Sequence, residues 1–214
     1  MIIVGAKGFA KEILQIVSVD MGLPDDDIVF FDNVSSDLPS KLYNRFEILT
    51  SFEEVETYLL KTEDKSFVLG LGQPTFRESL YHKFIDLGAE PRVVYSKNSE
   101  VGSFDVQIGG GTAIMSGVII TNSISIGEGC LININATIGH DCVLKDFVEV
   151  SPNVNISGRC TIGKGSSIGT NAIIIPDIYI GQNVIIGAGT VVTKDIPDNC
   201  TVVGVPGKII SKRD

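Results

Sequence analysis

Histidine is the side chain best suited to moving protons near neutral pH, and this chain of 214 residues has two, His82 and His140. His140 is followed directly by Asp141, within Gly139-His-Asp-Cys142. A carboxylate beside an imidazole can orient the ring and raise its basicity, as a general base requires. A solvated turn with two polar residues accounts for the same tetrapeptide. His82 falls in Phe76–Leu87, whose apolar spacing predicts a helix, and reads as a surface or packing residue. Near the start, Gly5-Ala-Lys-Gly8 follows the apolar run Met1–Val4, and Asp32-Asn33 ends a second run, Ile28–Phe31. A glycine turn opening a helix presents backbone N–H groups to a phosphate, and a strand-end acid can reach a ribose or base. The third glycine of the dinucleotide fingerprint is missing, since residue 10 is Ala10, so a nucleotide suits the turn better than a dinucleotide. A purely structural strand, turn and helix is the other reading.

The element that must position His140 is a six-residue repeat. From Ser103 the chain divides into fifteen consecutive blocks of six, each ending in Ile, Leu or Val, from Ile108 to Val192. The fourth position of each block is small or β-branched, and the first is often glycine, as at Gly109, Gly127, Gly139 and Gly163. Six is an even number of strand steps, so each block sends the same positions inward. Glycine at the block boundary is expected to permit a sharp corner. Three blocks make a triangular coil, and stacked coils make a parallel β-helix. Three inward ladders are expected: Ile108, Ile126, Leu144, Ile162 and Ile180; Ile114, Ile132, Val150, Ile168 and Ile186; Ile120, Ile138, Ile156, Ile174 and Val192. The spacing leaves the hand open. His140, second in its block, falls at a corner, with Gly158 stacked on it one coil later and Arg159 stacked on Asp141, which should keep that carboxyl ionised. Cys142 and Cys160 stack in the same way and read as small core residues.

The element that must position Gly5 and Asp32 is an α/β unit. Strands are expected at Met1–Val4, Ile28–Phe31, Phe67–Gly70 and Arg92–Tyr95, with helices after Gly8, at Phe52–Leu60 and at Phe76–Leu87. Alternating strands and helices argue a parallel sheet with right-handed crossovers. Ser96–Glu100 is the linker, and Val101 lies one residue out of phase with the hexads. The fold class is therefore a Rossmann-like α/β domain over residues 1–95, followed by an all-β parallel β-helix over 96–214 with a short tail.

Composition narrows the function. Seventeen Lys and Arg against 26 Asp and Glu give a net charge of −9, with no basic cluster, which excludes a nucleic-acid binder. No apolar run approaches the ~18 residues of a membrane span, and no secretory leader is expected at the start. Four cysteines without CxxC spacing point to a reducing, cytoplasmic compartment.

Over nearly its whole length the chain resembles the hexapeptide-repeat sugar acyltransferases, which include sialic acid O-acetyltransferase and N-acetyltransferases of nucleotide-linked amino sugars. The similarity is carried by VGAKGFAKE at the start, FFDN at 30–33, LGQPTFR at 71–77, NATIGHD at 135–141, the hexads, and GVPGK at 204–208. The resemblance implies a left-handed β-helix, a homotrimer, acetyl-CoA as co-substrate bound between subunits, a nucleotide-linked amino sugar held by the first domain, and no metal. It assigns His140 as general base, Asp141 as its orienting group, the Gly158 N–H as oxyanion donor, and Asn133 to the active site. It places Gly5, Lys7, Gly8, Asp32, Asn33, Gly72 and Gln73 in the sugar-nucleotide pocket. Glu149, Thr170, Ala188 and Lys208 fall at acetyl-CoA positions, with Lys212 and Arg213 near Lys208.

Three departures stand out. The glycine loop reads GAKGFA where the family often has GASGHG. Glu149 occupies the place of a second histidine, and an ionised carboxylate accepts hydrogen bonds but donates none. The hexads run without a long inserted loop over the cleft. Alternative readings are O-acetylation of a free sugar such as sialic acid and a non-catalytic nucleotide-binding scaffold. A zinc carbonic-anhydrase-like β-helix needs three histidine ligands, which two histidines cannot supply.

Overall fold

Short apolar runs bounded by glycine or polar turns become the strands of the first 91 residues. The computed structural model describes residues 1–213; Asp214, the end of the second expected domain, lies outside the described residues. Strand β1 (Ile2–Val4) is fully buried and pairs in parallel with β2 (Val29–Phe31) on one side and β5 (Ser66–Leu69) on the other. A two-residue strand β3 (Lys41–Leu42) and β4 (Phe46–Leu49) extend the sheet beyond β2, and β6 (Glu90–Pro91) extends it beyond β5. Helices α1 (Gly8–Leu14, continuing as a π-helical turn to Asp20), α2 (Phe52–Lys61) and α3 (Pro74–Asp86) cover it. The chain moves outward through β2 to β4, then returns to the far side of β1 for β5. This reversal opens a crevice at the carboxyl ends of β1 and β5, where open α/β sheets take their ligands.

Two strand expectations are corrected here. The last strand of the sheet is Glu90–Pro91, whereas Val94–Tyr95 pairs with Ala113–Ile114 as the first rung of the β-helix. Val94 is fully buried because its side chain enters the core of that helix. The β3–β4 hairpin was not expected, because its turn uses Tyr43 and Asn44 at φ 52° and 56° with no glycine to mark it.

The hexads fold as a left-handed parallel β-helix with three flat faces. The first face stacks Ala113–Ile114, Leu131–Ile132, Glu149–Val150, Ser167–Ile168 and Ile185–Ile186. The second stacks Ile119–Ile120, Thr137–Ile138, Asn155–Ile156, Ile173–Ile174 and Val191–Val192. The third stacks the strands ending in Ile108, Ile126, Leu144, Ile162 and Ile180. All three expected ladders are present in register. In the first coil Glu100 pairs with Ile119 and Val101 with Ile120, so one extra residue is absorbed at the corner before Val106, which returns to Ile124.

The glycines do a different job from the one expected. The left-handed corner residue is the third of each block, among them Asn135, Asp141, Asn153 and Asn171 at φ 57° to 59°. The first-position glycines are required by stacking: a Cβ at Gly139 would lie 2.7 Å from the Gly158 nitrogen of the next coil. Asparagine and aspartate tolerate the left-handed region, so the corner conformation needs no glycine.

The three ladders fill the interior. Ile138, on the second face, is fully buried. Its replacement by alanine leaves a cavity between two rungs, and chemical denaturation should show a loss of about 2–5 kcal/mol. A loss below about 0.5 kcal/mol would contradict the ladder packing.

Candidate active site

The corner between the second and third faces carries His140. Asp141 takes the left-handed corner conformation, φ 59°, and this turns its carboxylate back onto the preceding residue. Its Oδ2 lies 2.6 Å from His140 Nδ1. A hydrogen on Nδ1 shared with that carboxylate leaves Nε2 with its lone pair, the tautomer of a general base. Both side chains are more than half exposed. The ring lies over Gly158 one coil on: a Cβ built at Gly158 would sit 2.7 Å from His140 Nε2. The amides of Ser157 and Arg159 are bonded to the carbonyls of Ile174 and His140, while among the described residues no acceptor takes the Gly158 N–H. One small space therefore has an imidazole lone pair and an unused backbone donor beside it.

Arg159 departs from expectation. Its guanidinium forks onto Asp177, at 2.5 and 2.8 Å, rather than onto Asp141. The same register that places Asp141 one coil before Arg159 places Asp177 one coil after, and the bidentate geometry selects the latter. The Arg159 guanidinium holds the Asp177 carboxyl below its usual range.

Gly5, Lys7, Gly8, Asp32, Asn33, Gly72 and Gln73 gather at the carboxyl edge of the first sheet. Gly5 takes φ 109°, and a Cβ there would lie 2.9 Å from the Gly70 carbonyl, so the crevice closes tightly between β1 and β5. Gly8 opens α1 with nothing within 4 Å of an added Cβ. Lys7 reaches across to Asp37 of the loop after β2. Asp32 is buried and holds that loop, its Oδ1 accepting from the Val34 and Ser35 amides at 3.1 and 3.0 Å and its Oδ2 from Ser35 Oγ. Gly72 approaches the first face of the β-helix, where Glu149 Oε1 would lie 3.9 Å from an added Cβ. Glu149 accepts from Ser167 Oγ at 3.3 Å. Burial pushes its carboxyl up, opposed by the Arg77 charge and the Ser167 hydroxyl.

Besides that crevice, the expected site residues fall at several separate places within one chain. His140, Asp141 and Gly158 share one corner. Glu149 lies on the first face beside Gly72. Asn133, Thr170 and Ala188 lie at the corner between the first and second faces, and Asn133 Oδ1 accepts from the Ile134 amide. Lys208 is exposed on the last strand, Lys208–Lys212, which caps the first face antiparallel. His82 packs edge-on against Phe147 and Tyr81. The four cysteines are buried and unpaired, with Cys160 N–H donating to Cys142 Sγ at 3.4 Å. No helix among the described residues is long and apolar enough to cross a membrane.

Two residues of the site escaped the sequence reading. Arg77, in α3, is 1% exposed and donates to four backbone carbonyls. Ser167, the fifth residue of its block, was not singled out. An arginine inside an otherwise apolar stripe of α3 was the available signal for the first; for the second there was none beyond its place 18 residues after Glu149.

Comparison with known proteins matches residues 1–84 to the PglD N-terminal domain and residues 159–194 to the bacterial transferase hexapeptide family. GDP-perosamine N-acetyltransferase of Escherichia coli O157:H7 is 30% identical over 159 residues, covering 73% of this chain and 69% of that protein. Among solved structures, a histidine variant of perosamine N-acetyltransferase from Caulobacter crescentus, in complex with CoA and GDP-perosamine, superposes with a TM-score of 0.89 at 26% identity, covering 99% of this chain and 96% of that one. The acetyltransferase domain of PglB from Neisseria gonorrhoeae, in complex with acetyl coenzyme A, gives 0.86 at 28% identity and 98% of each chain. With the two-domain architecture and the matched domains, this chain is an enzyme of the hexapeptide-repeat sugar acyltransferase family.

Proposed function

We propose that this acyltransferase moves the acetyl group of acetyl-CoA onto the amine of a nucleotide-linked amino sugar, as a homotrimer. The observation that carries the reading is the His140–Asp141 contact of 2.6 Å with the ring poised over Gly158. The neutral amine attacks the thioester carbonyl carbon. His140 Nε2 takes the proton that the attacking nitrogen must lose, and Asp141 stabilises the resulting imidazolium. The oxygen of the tetrahedral intermediate is held by the Gly158 N–H, a preorganised donor. Collapse breaks the carbon–sulfur bond, and the leaving thiolate recovers the proton from the imidazolium.

The acceptor side rests on the crevice at Gly5, Gly8 and Gly72 and on relatives named for GDP-perosamine. The donor side rests on neighbours bound to CoA and acetyl coenzyme A. Geometry supports an oligomer: the first domain docks on the first face and the Gly110–Gly129–Phe147 corner of its own β-helix. His140 faces away from that junction, so a second copy must bring an acceptor crevice to it. In this arrangement Glu149, Asn133, Thr170 and Ala188 line the cleft between neighbouring copies. Glu149 contributes hydrogen-bond acceptors there, one of them already used by Ser167 Oγ.

Thiol release from acetyl-CoA should appear with one member of a panel of GDP-, UDP- and dTDP-linked amino sugars. Release with free sialic acid alone would move the reaction to O-acetylation. With the true acceptor, His140→Ala should lower kcat by ~10²–10⁴-fold. The Michaelis constants should hold nearly steady, because the group acts in the transition state. Near-normal turnover by a folded His140→Ala enzyme would contradict the mechanism.

A further inference from the structure

Arg77 heads the large side chains that are fully buried in this protein. Its Nε donates to the Gly129 carbonyl at 2.9 Å, its Nη2 to Phe147 and Val148 at 2.8 and 3.1 Å, and its Nη1 to Gly72. Gly129 and Phe147 occupy one corner on successive coils, while Gly72 belongs to the loop leaving β5. One planar group thus ties that loop to two rungs of the β-helix.

Adhesion does not require this charge. Among the described residues no carboxylate lies within ion-pair distance of Arg77. A buried guanidinium carries a desolvation penalty of several kcal/mol that its hydrogen bonds must offset. The junction is already closed by apolar contacts, with the Tyr81 ring 5.4 Å from that of Phe147 and 5.7 Å from that of Phe67. What the fork adds is direction, because its N–H groups are fixed in one plane and accept one arrangement of carbonyls. Phe147 sits at φ 57°, a left-handed conformation disfavoured for a bulky residue, and its carbonyl is one of the four. Beyond Gly72, Gln73 and Thr75 line a groove of about 400 Å³ opposite Ser167 and Ile185 of the first face and Asn183 at the corner before it.

We infer that Arg77 is a positioning residue: it sets the Gly72–Gln73 loop against the first face of the β-helix, so that the acceptor held by the first domain enters the transfer cleft in register. The acceptor part rests on the function proposed above, whereas the placement of the loop does not.

The test uses the full-length assembly with Arg77→Lys, which keeps the charge without the fork, and Arg77→Met, which keeps length and apolar bulk. Amide exchange in residues 70–73 should quicken in both, with exchange in the coils at 155–180 unchanged. The acceptor KM should rise about 10- to 100-fold, the range that misplacement remote from the chemistry produces. The acetyl-CoA KM should stay within about twofold, since its binding is not touched. Unchanged exchange and acceptor KM in Arg77→Met, equal rises in both constants, or full rescue by Arg77→Lys would overturn the inference. Failure of both variants to fold would overturn it too, making the guanidinium a staple for stability. If the unaltered enzyme transfers to no nucleotide sugar, the proposed function fails, and the exchange at 70–73 still decides the role of Arg77.

Discussion

Stacking of one coil directly on the next, 18 residues apart along the sequence, is the constraint on which the rest of this molecule depends. Neighbouring parallel strands lie about 4.8 Å apart, and at that separation a corner has room for one side chain over a residue with none. Gly158 supplies the vacancy and His140 fills it. Had residue 158 any side chain, its Cβ would collide with the imidazole. The same stacking bonds Arg159 N–H to the His140 carbonyl at 2.8 Å, fixing the backbone from which the ring projects. Asp141 completes the corner through its left-handed backbone, which brings Oδ2 to Nδ1 without any help from distant parts of the chain. The His140 corner is thus a local consequence of a repeat that extends through the whole domain.

The first domain is built on a different principle and joined at a different corner. Its crevice forms where the order of parallel strands reverses, between β1 and β5, and opens toward Gly72 and Glu149. The junction buries Tyr81, Phe147 and the Arg77 guanidinium, so the two bodies share a packed boundary rather than a flexible tether. Asp20 reinforces the other side, accepting from Ser96 Oγ at 2.8 Å and from the Lys97 amide at 3.1 Å. A packed junction at one corner and His140 at another leave the crevice of the first domain and the imidazole on different sides of the same chain. The proposed threefold association of a triangular prism would resolve the separation, because it would set the corner of one copy against a face of the next.

The β-helix was legible because its period is even and long: a ladder residue such as Ile138 or Val150 recurs at a fixed interval, so burial could be read by counting. His140 was legible for the same reason, since its block position fixed it at a corner with Gly158 beside it. What could not be read were features decided by choice among equivalent neighbours or by contact between the two domains. Arg159 had an aspartate on either side along the stack, and only side-chain geometry selected Asp177. The β3–β4 hairpin hid behind Tyr43 and Asn44, residues that seldom announce a left-handed turn together. Val94 looked like a sheet strand because one buried side chain does not reveal which core it enters. Arg77 was hidden most deeply, since the carbonyls that satisfy it lie at Gly129, Phe147 and Val148, more than fifty residues away in sequence.

The claim that one chain supplies the base and its neighbour the acceptor crevice can be tested by mixing two inactive chains. His140→Ala removes the base, and Gly8→Glu places a carboxylate in the open space at the start of α1, where it repels a phosphate. Each variant alone should form inactive trimers. Co-expressed with distinct tags and purified as mixed trimers, they should regain activity, because one junction in every mixed closed ring pairs an intact His140 with an intact neighbouring crevice, about a third of the sites. Mixed trimers no more active than either parent would contradict the shared site and return the whole reaction to a single chain.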